Sequence, residues 1–429
     1  MNYHSILNPS FVNFVSSSRL LNKTEINHLY KICDKSNDEN KLIFEYENKF
    51  SSIVGLNNSA VCFGSARMAF FSLMYLLGIK KDDEIIIQSA TCSVMVNAII
   101  KIGATPVFAD MDLNTLGTSA DSVIKLVNQK TKLIVAQHSF GIPCEIDKIV
   151  ECGKKNNIFV LEDCALTLTT FYKKKQVGNW GDAAIFSTDH TKPINTLIGG
   201  ILYSKNKKLI TNIKSYRDTL PNFSASHQLL MLKQYLFENK YFRYGHYYKG
   251  NILLKISNFF NKILFKEYVF LNDDTQLSIK NNNYPYPAKM PPFIAQIGLY
   301  ELQKWDDNRR NRHEFLQKYI NVFKKTDNLK LLPKSYLDDN FIVPNRLVFF
   351  SENIKEAYGF FKKYFPVEES WFRDQIIGCD NPEDFGYVYG SCKNSEKNSK
   401  EIINFPVNNN LNFQNNFTNS LKIFFKLHK

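Results

Sequence analysis

A carboxylate and an amine are the residues of this chain whose types and spacing could do chemistry. The apolar run at 158–161 ends on Glu162 and Asp163, as a buried parallel strand does at its carboxyl end. A second apolar run, at 183–186, is followed after a short polar stretch by Lys192. Two strands of one parallel sheet would bring Asp163 and Lys192 to the same edge, where ligands bind. The pair therefore indicates a candidate site.

A strand that breaks into a helix provides a second element of that site. The apolar stretch at 60–63 is followed at once by Gly64 and Ser65, which open a helical pattern. Backbone N–H groups and a hydroxyl at the positive end of a helix dipole can bind a phosphate. Gly-Ser before a helix is also a common cap, and by itself the pair is more often an ordinary cap than an anion site.

Ser187, which directly follows the run at 183–186, completes a set with one plausible chemistry. A lysine can hold pyridoxal phosphate as a Schiff base, and a carboxylate opposite the ring nitrogen keeps the pyridinium protonated. Hydroxyls and helix N–H groups would take the phosphate. Singly, Asp163 could cap a strand end and Lys192 could be a surface amine. Jointly and in this order, Gly64, Ser65, Asp163, Ser187 and Lys192 favour a bound pyridoxal phosphate.

The elements that must position these residues alternate between strand and helix. Apolar strand patterns at 84–88, 105–109, 133–136 and 158–161 are interleaved with helical patterns at 94–102 and 146–156. Near-continuous apolar strands separated by helices are typical of an α/β domain with a mostly parallel sheet. The sequence predicts that fold class, with right-handed crossovers.

The length of 429 residues predicts about two domains. We divide the chain into an N-terminal segment at 1–40, a large domain at 41–290 and a smaller domain at 291–429. The stretch at about 207–283 is rich in Tyr, Phe, Lys and Asn and mostly helical in pattern, and we interpret it as an insertion in the large domain. A proline-rich linker at 284–292 precedes a long helical pattern at 293–323.

One helical pattern within the insertion has a basic and an apolar face. Its apolar face consists of Ile252, Ile256, Phe259 and Ile263. Such a helix can lie on a membrane surface or bind a partner, although packing on its own domain is the commoner outcome.

Composition narrows the classes of function. The net charge of +13 would suit nucleic acid, a membrane surface or anionic small substrates. The basic residues are scattered, however, and the one dense run, at 173–175, is more often a solvated hairpin tip than a binding patch. Because no zinc-finger spacing or RNA-recognition motif accompanies that run, no nucleic-acid partner is expected.

The cysteines and the apolar runs suggest an intracellular protein. The eight cysteines form neither Cys-x-x-Cys nor Cys/His spacings, so neither a metal site nor a disulfide framework is expected. The N-terminus lacks the pattern of a signal peptide, and no apolar run approaches the ~20 residues of a transmembrane helix. We therefore expect a cytoplasmic protein with reduced thiols and no transmembrane segment.

The ordered motifs resemble those of the DegT-type family of pyridoxal-phosphate aminotransferases, which act on nucleotide-linked keto-sugars and have the fold-type I architecture. The resemblance rests on GSAR at 64–67, DEIII at 83–87, GATPVFAD at 103–110, EDCA at 162–165, GNWGDAAIFS at 178–187, TKP at 191–193 and GG at 199–200. It is close over about 41–205 and resumes over 289–319. It implies a large, mostly parallel-sheet domain that binds pyridoxal phosphate and a smaller α+β C-terminal domain.

The resemblance also implies roles for single residues. Lys192 matches the Schiff-base lysine and Asp163 matches the partner of the pyridine nitrogen. Ser187, Gly64 and Ser65 match phosphate contacts. Lys192 would then move the proton between the α-carbon of the donor and C4′ of the cofactor. The family implies glutamate as the amino donor, a keto-sugar nucleotide as the acceptor, a product for a surface polysaccharide, and a homodimer with the site at its interface.

Three positions depart from the family pattern. Leu166 replaces a hydrogen-bonding residue near the 3-hydroxyl of the cofactor, and Pro287 replaces an Asn that reaches the partner subunit's phosphate. Cys92 replaces an aromatic residue that stacks on the ring, although its small soft side chain can still pack against a ring face. Two alternatives therefore stay open: a catalytically degenerate member that binds an anionic ligand or a membrane surface, and an aminotransferase for a small phosphorylated ketone.

Other polar residues near these motifs have competing structural explanations. His138 is better explained as a hydrogen-bonded core histidine than as an acid or base. His190 and Asp189 could touch substrate or simply face solvent. Asp110 and Asp112 resemble an acid pair, yet aspartates at strand ends more often cap turns.

Overall fold

The computed structural model describes residues 20–34, 39–246, 249–250, 252–253, 255–256, 284–364 and 375–427. Its helices are α1 Lys23–Asp34, α2 Glu39–Val54, α3 Ala66–Leu76, α4 Ser93–Lys101, α5 Ala120–Leu126, α6 Ile146–Asn156, α7 Lys207–Thr219, α8 Ala225–Tyr241, α9 Pro292–Leu302, α10 Trp305–Lys325, α11 Ile354–Phe361, α12 Lys393–Asn398 and α13 Leu411–Leu427. Its strands are β1 Ala60–Phe63, β2 Glu84–Gln88, β3 Thr105–Ala109, β4 Thr131–Gln137, β5 Phe159–Asp163, β6 Phe171–Tyr172, β7 Lys175–Gln176, β8 Ala183–Ser187, β9 Gly200–Tyr203, β10 Arg346–Phe350 and β11 Ile402–Pro406.

One seven-stranded sheet organises the first part of the molecule, with the strand order β1-β9-β8-β5-β4-β2-β3. Neighbouring strands from β8 to β3 run parallel, whereas β9 is antiparallel to both β8 and β1. Strand β1 therefore runs in the same direction as β8 and β5. The predicted α/β class with a mostly parallel sheet is confirmed.

Two large hydrophobic cores hold most of the buried apolar side chains of the described residues, and a small third cluster includes Val96 and Ile376. The first surrounds the large sheet and also contains α9, from Phe293 to Leu302. The second lies around the two-stranded sheet of β10 and β11 and is rich in phenylalanine from α10 and α13. The division into segments at 1–40, 41–290 and 291–429 stays a prediction.

The long helical pattern at 293–323 forms two helices instead of one. Helix α9 is buried nearly all round, whereas α10 buries a single face that includes Trp305, Phe315 and Tyr319. The chain breaks at Gln303 and Lys304, between these two helices. The break lets α9 lie inside the core while α10 lies on its surface with one buried face. The predicted helical pattern is confirmed on both sides of this break.

The segment that we interpret as an insertion begins with two helices that pack on the large domain. Helix α7 contacts α3 and β1, and α8 contacts α1. Ile252 and Ile256 are exposed, and the rest of the predicted amphipathic pattern, including Phe259 and Ile263, lies outside the described residues.

No helix among the described residues is long and apolar enough to pass through a lipid bilayer.

The three-lysine run is the tip of a hairpin, as predicted. Strands β6 and β7 pair around Lys173 and Lys174, which are both exposed and have positive φ angles of 47° and 64°. These angles are those of the two-residue turn that suits a hairpin.

Candidate active site

The predicted site residues gather at one edge of the large sheet. Strands β1, β8 and β5 run in the same direction, so Gly64, Ser65, Ser187 and Asp163 all follow or end strands at that edge. Phe63 and Ser187 lie on either side of Gly200, which pairs with both. The two hydroxyls at Ser65 and Ser187 are thus separated by the width of one intervening strand.

Two glycines allow helix α3 to start directly above β9. A Cβ atom on Gly200 would lie 2.0 Å from the backbone nitrogen of Ala66, which is too close for any side chain. Gly199 has a φ of +133°, and a Cβ there would lie 2.4 Å from Oγ1 of Thr188. The GG pair at 199–200 therefore brings the N-terminus of α3 down onto the sheet edge.

At the start of α3, Ser65 is the N-cap. Its hydroxyl accepts a hydrogen bond from the backbone N–H of Met68 at 3.4 Å. The N–H of Gly64 donates to the carbonyl oxygen of Ala288 at 2.9 Å, and a Cβ on Gly64 would lie 2.8 Å from the Phe223 ring. Glycine at position 64 is thus explained by close packing. Contacts of Gly64 and Ser65 with a phosphate stay a prediction.

Asp163 is a buried carboxylate at the end of β5. Its side chain is in a residue only 5% exposed, and Oδ1 accepts from the backbone N–H of Ala165 at 2.9 Å. Burial raises the pKa of Asp163, and the Ala165 N–H and the Lys192 ammonium only partly oppose that effect. Lys192 is thus one of the groups whose charge acts on Asp163, and the joint role of the two residues in a site stays a prediction. A further cation beside Asp163 would favour its ionised form.

The preceding carboxylate, Glu162, has a different environment. Oε1 accepts from the backbone N–H groups of Trp180 and Gly181 at 2.7 and 2.8 Å, and Oε2 accepts from that of Gly178 at 2.7 Å. Oε2 also lies 3.2 Å from Nε2 of His138. Glu162 thus anchors the loop at 178–181, and its oxygens are fully used.

His138 is a fully buried core histidine, as predicted. Its Nδ1 accepts from the backbone N–H of Cys144 at 3.2 Å, so Nε2 carries the proton and donates to Glu162. Cys164 lies close to both side chains, and such a trio could in principle bind a metal. Burial raises the pKa of the Cys164 thiol to about 12, and a neutral thiol beside a saturated carboxylate is a poor metal site.

The loop between β8 and β9 presents Lys192, which is half-buried. Thr188 and Thr196 close the loop: the Thr196 N–H donates to the Thr188 carbonyl at 2.8 Å, and their hydroxyl oxygens lie 2.7 Å apart. Within it, the Lys192 N–H donates to the Asp189 carbonyl at 2.9 Å. Leu197 has a φ of +76°, a strained angle for a leucine that the closed loop imposes.

The loop residues Asp189 and His190 face each other and helix α8. The imidazole Nε2 lies 3.3 Å from Oδ1 of Asp189, and Nδ1 lies 3.6 Å from Oε2 of Glu238. The approach of His190 to Glu238 places the segment at 188–199 between β8 and β9, the lysine loop, beside α8. A contact of either residue with substrate stays a prediction.

The turn before α4 contributes a further set of polar groups. Thr91 Oγ1 and Ser93 Oγ are buried and have no hydrogen-bond partner among the described residues. Between them, Cys92 exposes its side chain, while its backbone pairs with Ile377 of the C-terminal part. The Ile377 N–H donates to the Thr91 carbonyl at 2.7 Å, and the Ser93 N–H donates to the Ile377 carbonyl at 2.9 Å. No pattern in the sequence predicts this contact with Ile377.

The remaining predicted positions have structural roles. Leu166 is buried in the second core beside Phe140 and Ile142. Asp110 accepts from the N–H groups of Asn394 and Ser395 at 3.0 and 2.9 Å. Asp112 caps its own turn through the N–H groups of Asn114 and Thr115. The interpretation as a turn cap is confirmed for Asp112 by these contacts, whereas Asp110 binds the first turn of α12, far along the chain.

A residue that sequence reasoning missed reaches the lysine loop from α10. Nδ2 of Asn308 lies 3.5 Å from the carbonyl oxygen of Pro193, the residue after Lys192. Asn308 and Arg312 are buried on the same face of α10 as Trp305 and Phe315. Polar residues on the apolar face of an amphipathic helix are the signal that could have identified them.

Comparisons with known proteins agree with the fold and the motifs. Residues 22–229 match the DegT/DnrJ/EryC1/StrS aminotransferase family. The GDP-perosamine synthase of Escherichia coli O157:H7 is 37% identical over 167 residues, which are 39% of this chain and 46% of that protein. The spore coat polysaccharide biosynthesis protein SpsC of Bacillus subtilis (strain 168) is 29% identical over 285 residues, 66% of this chain and 62% of SpsC. The chain thus spans about half to three fifths of these curated relatives.

Solved structures share the fold over nearly the whole chain. PseC of Helicobacter pylori, an aminotransferase involved in the biosynthesis of pseudoaminic acid, has a TM-score of 0.69 and 19% identity, covering 96% of this chain and 99% of PseC. NtdA of Bacillus subtilis, solved with bound PMP, has a TM-score of 0.68 and 16% identity, covering 99% of this chain and 89% of NtdA. At these identities the likeness is one of fold.

Proposed function

We propose that the protein is a pyridoxal-phosphate-dependent aminotransferase that acts on a keto-sugar nucleotide, since residues 22–229 match the DegT/DnrJ/EryC1/StrS aminotransferase family. The observation that carries the proposal is a buried carboxylate, Asp163, at the end of β5, on which the charge of Lys192 from the β8–β9 loop acts. A structural acid would be saturated by donors, as Glu162 is. Asp163 instead accepts from the Ala165 N–H, and burial raises its pKa despite the nearby positive charge of Lys192.

The residues at this edge fit pyridoxal phosphate. Asp163 would bind the protonated ring nitrogen, because a pyridinium supplies the charge that its buried carboxylate lacks. The unpartnered hydroxyls of Thr91 and Ser93 leave hydrogen-bonding capacity in the turn before α4. The N-terminus of α3 with Ser65, together with Ser187, would bind the phosphate.

The chain's own residues position and move a proton. Bound pyridoxal phosphate supplies the electron sink that makes the α-carbon of the amino donor acidic. The Lys192 amine would accept the proton from that α-carbon and return it at C4′ of the cofactor. Asp163 would keep the ring nitrogen protonated throughout, and its burial excludes the water that would weaken this interaction.

The substrates belong to the proposal as well. Glutamate is the donor that the family resemblance implies. A keto-sugar nucleotide is the acceptor we propose, since a diphosphate suits a chain with a net charge of +13, and two relatives are named for perosamine and spore-coat polysaccharide synthesis. A role in making a surface polysaccharide follows. We extend the proposal to a cytoplasmic homodimer.

A covalent-trapping experiment tests the proposal. The full chain is incubated with pyridoxal phosphate and reduced with borohydride, and the labelled peptide is identified by mass spectrometry. We expect one modified residue, Lys192, and none in Lys192→Ala. Labelling that is equal in the two proteins, or no labelling of the wild-type chain, would refute the assignment.

A catalytically degenerate member is the second candidate, favoured by the buried apolar side chain of Leu166 and by Cys92. Glutamate separates the candidates, because only an active enzyme will convert the bound cofactor to its amine form and change its visible spectrum. A panel of keto-sugar nucleotides and small phosphorylated ketones then identifies the acceptor, and turnover of the small ketones alone would favour the third candidate.

A further inference from the structure

We propose that Asn308, on helix α10 of the C-terminal part, is a positioning residue for Lys192. The inference rests on the proposed function and adds a residue outside the family-matched segment at 22–229. Its basis is the contact between the Asn308 side chain and the carbonyl oxygen of Pro193, directly after the lysine.

The orientation of the Asn308 amide is imposed by its neighbours. Nε of Arg312 lies 2.9 Å from Oδ1 of Asn308, and Nδ2 of Asn409 lies 2.8 Å from the same oxygen. A guanidinium can only donate, so the atom that faces Arg312 must be the oxygen. The Nδ2 group of Asn308 is therefore the one that points at Pro193.

The network is buried and fixed at its far side. Asn308 is 8% exposed and Arg312 only 2% exposed. NH1 of Arg312 donates to the carbonyl oxygen of Pro344 at 3.0 Å. Burial lowers the pKa of Arg312 to about 10, so its guanidinium is charged at neutral pH and keeps its hold on Asn308. Displacing the amide would cost charge-assisted hydrogen bonds.

The contact completes the support of the lysine loop. Thr188 and Thr196 fix the base of the loop, and the His190 side chain faces Glu238 on its α8 side. Asn308 contacts the middle of the loop, at Pro193, from the side of α10. Small displacements of a reacting group lower rates steeply, so an anchor one peptide away should matter for the amine.

A matched pair of substitutions tests this role. Asn308→Asp keeps the oxygen that accepts from Arg312 but replaces the donor facing Pro193 with a second oxygen. The chain offers a control in Arg346 and Asn404, a buried Arg–Asn pair in the small sheet in which Nε also donates to Oδ1. Asn404→Asp makes the same chemical change far from the lysine loop.

The first readout is the rate of pyridoxal phosphate capture at Lys192, followed by borohydride labelling at increasing times. We expect N308D to be slower than wild type by about tenfold, and N404D to equal wild type. The second readout needs no cofactor. Lysines of the apo protein are methylated with ¹³C-formaldehyde, and the pH titration of the signal that Lys192→Arg removes is recorded by NMR. We expect that titration to shift in Asn308→Ser, which adds no charge beside the loop, and not in N404D.

Each outcome has one meaning. A wild-type rate in N308D with a wild-type titration in Asn308→Ser, or equal changes in N308D and N404D, would overturn the positioning role. Failure of wild-type Lys192 to capture the cofactor would overturn the proposed function instead. If N308D does not unfold cooperatively, Asn308→Ser replaces it, because serine adds no charge and is too short to keep the contact with Pro193; unchanged capture in Asn308→Ser would likewise overturn the role.

Discussion

Two neighbouring carboxylates at the end of β5 face different surroundings. Glu162 accepts from three backbone N–H groups and lies against His138, and it binds the loop at 178–181 to the sheet. Asp163, one residue on, accepts from the Ala165 N–H, and burial raises its pKa. Successive side chains of a strand point to opposite faces, so one step along the chain separates a structural acid from a candidate functional one.

The difference teaches how to recognise a binding carboxylate. A buried acid whose oxygens are saturated contributes to stability and has nothing left to offer a ligand. A buried acid that is incompletely compensated is costly in the unliganded fold and gains from a bound cation. The cost at Asp163 is therefore itself an indication of a ligand.

The largest effect should follow from Asp163→Asn. The amide cannot hold the ring nitrogen protonated, so we expect amino transfer from glutamate to fall by about 10²–10³-fold, a typical loss for removing a pre-organised electrostatic contact. The measurement is single-turnover conversion of the bound cofactor by glutamate. Asp121→Asn, on the exposed surface of α5, is the control. A D163N protein with wild-type turnover would show that the comparison is wrong.

Glu162→Ala should lower the stability of the fold rather than act on amino transfer directly. It leaves three backbone N–H groups and His138 without their acceptor, and we expect the free energy of unfolding to fall by about 3–5 kcal/mol in urea titrations. Glu151→Ala, on the exposed side of α6, should change it little. If the Glu162→Ala chain is too unstable to purify, Glu162→Gln should show a smaller loss. A loss of turnover without a loss of stability would instead assign Glu162 to the active site.

The pH dependence of stability should distinguish the acids further. The folded-state pKa of Asp163 is raised by burial above its ordinary value, so the folded apo protein binds a proton more tightly than the unfolded chain does. Its destabilising contribution is therefore absent below about pH 4 and grows as pH rises through the folded-state pKa. In urea titrations of the apo proteins, D163N should become more stable than wild type as the pH rises through the folded-state pKa of Asp163. A constant difference at all pH values would contradict the assignment.

The smallest effect on stability is expected at the β6–β7 hairpin, on the Glu162 side of β5. Lys174 is exposed with a φ of 64°, so Lys174→Gly should raise the free energy of unfolding by about 0.5–1 kcal/mol. Lys175 lies in β7 and packs over the Trp180 ring, and Lys175→Gly should instead destabilise. Thermal unfolding measures both. Cofactor capture at Lys192 should be unchanged, and slower capture in Lys174→Gly would mean that the two sides of the strand are coupled.

Most elements of the large sheet could be predicted because their strands are continuous apolar runs bounded by polar residues. The patterns at 60–63, 84–88 and 105–109 coincide with β1, β2 and β3. The pattern at 158–161 starts one residue before β5 and ends two residues too early, since β5 runs from Phe159 to Asp163. Carboxylates end an apolar pattern, and only their hydrogen bonds show that the strand continues through them.

The sequence by itself determined the α/β class and the residues that follow or end strands at the carboxyl end of the sheet, because these depend on local patterns and on the common direction of parallel strands. The pairing of Asp163 with Lys192 stays a prediction. The tertiary structure alone decided which acid is saturated, how Ile377 caps the turn at Thr91, and that Asn308 faces Pro193. Those contacts join positions that are distant along the chain. Hydrophobic periodicity carries information about which face of an element is buried, whereas the partner of a buried polar group is fixed only when separate elements pack together.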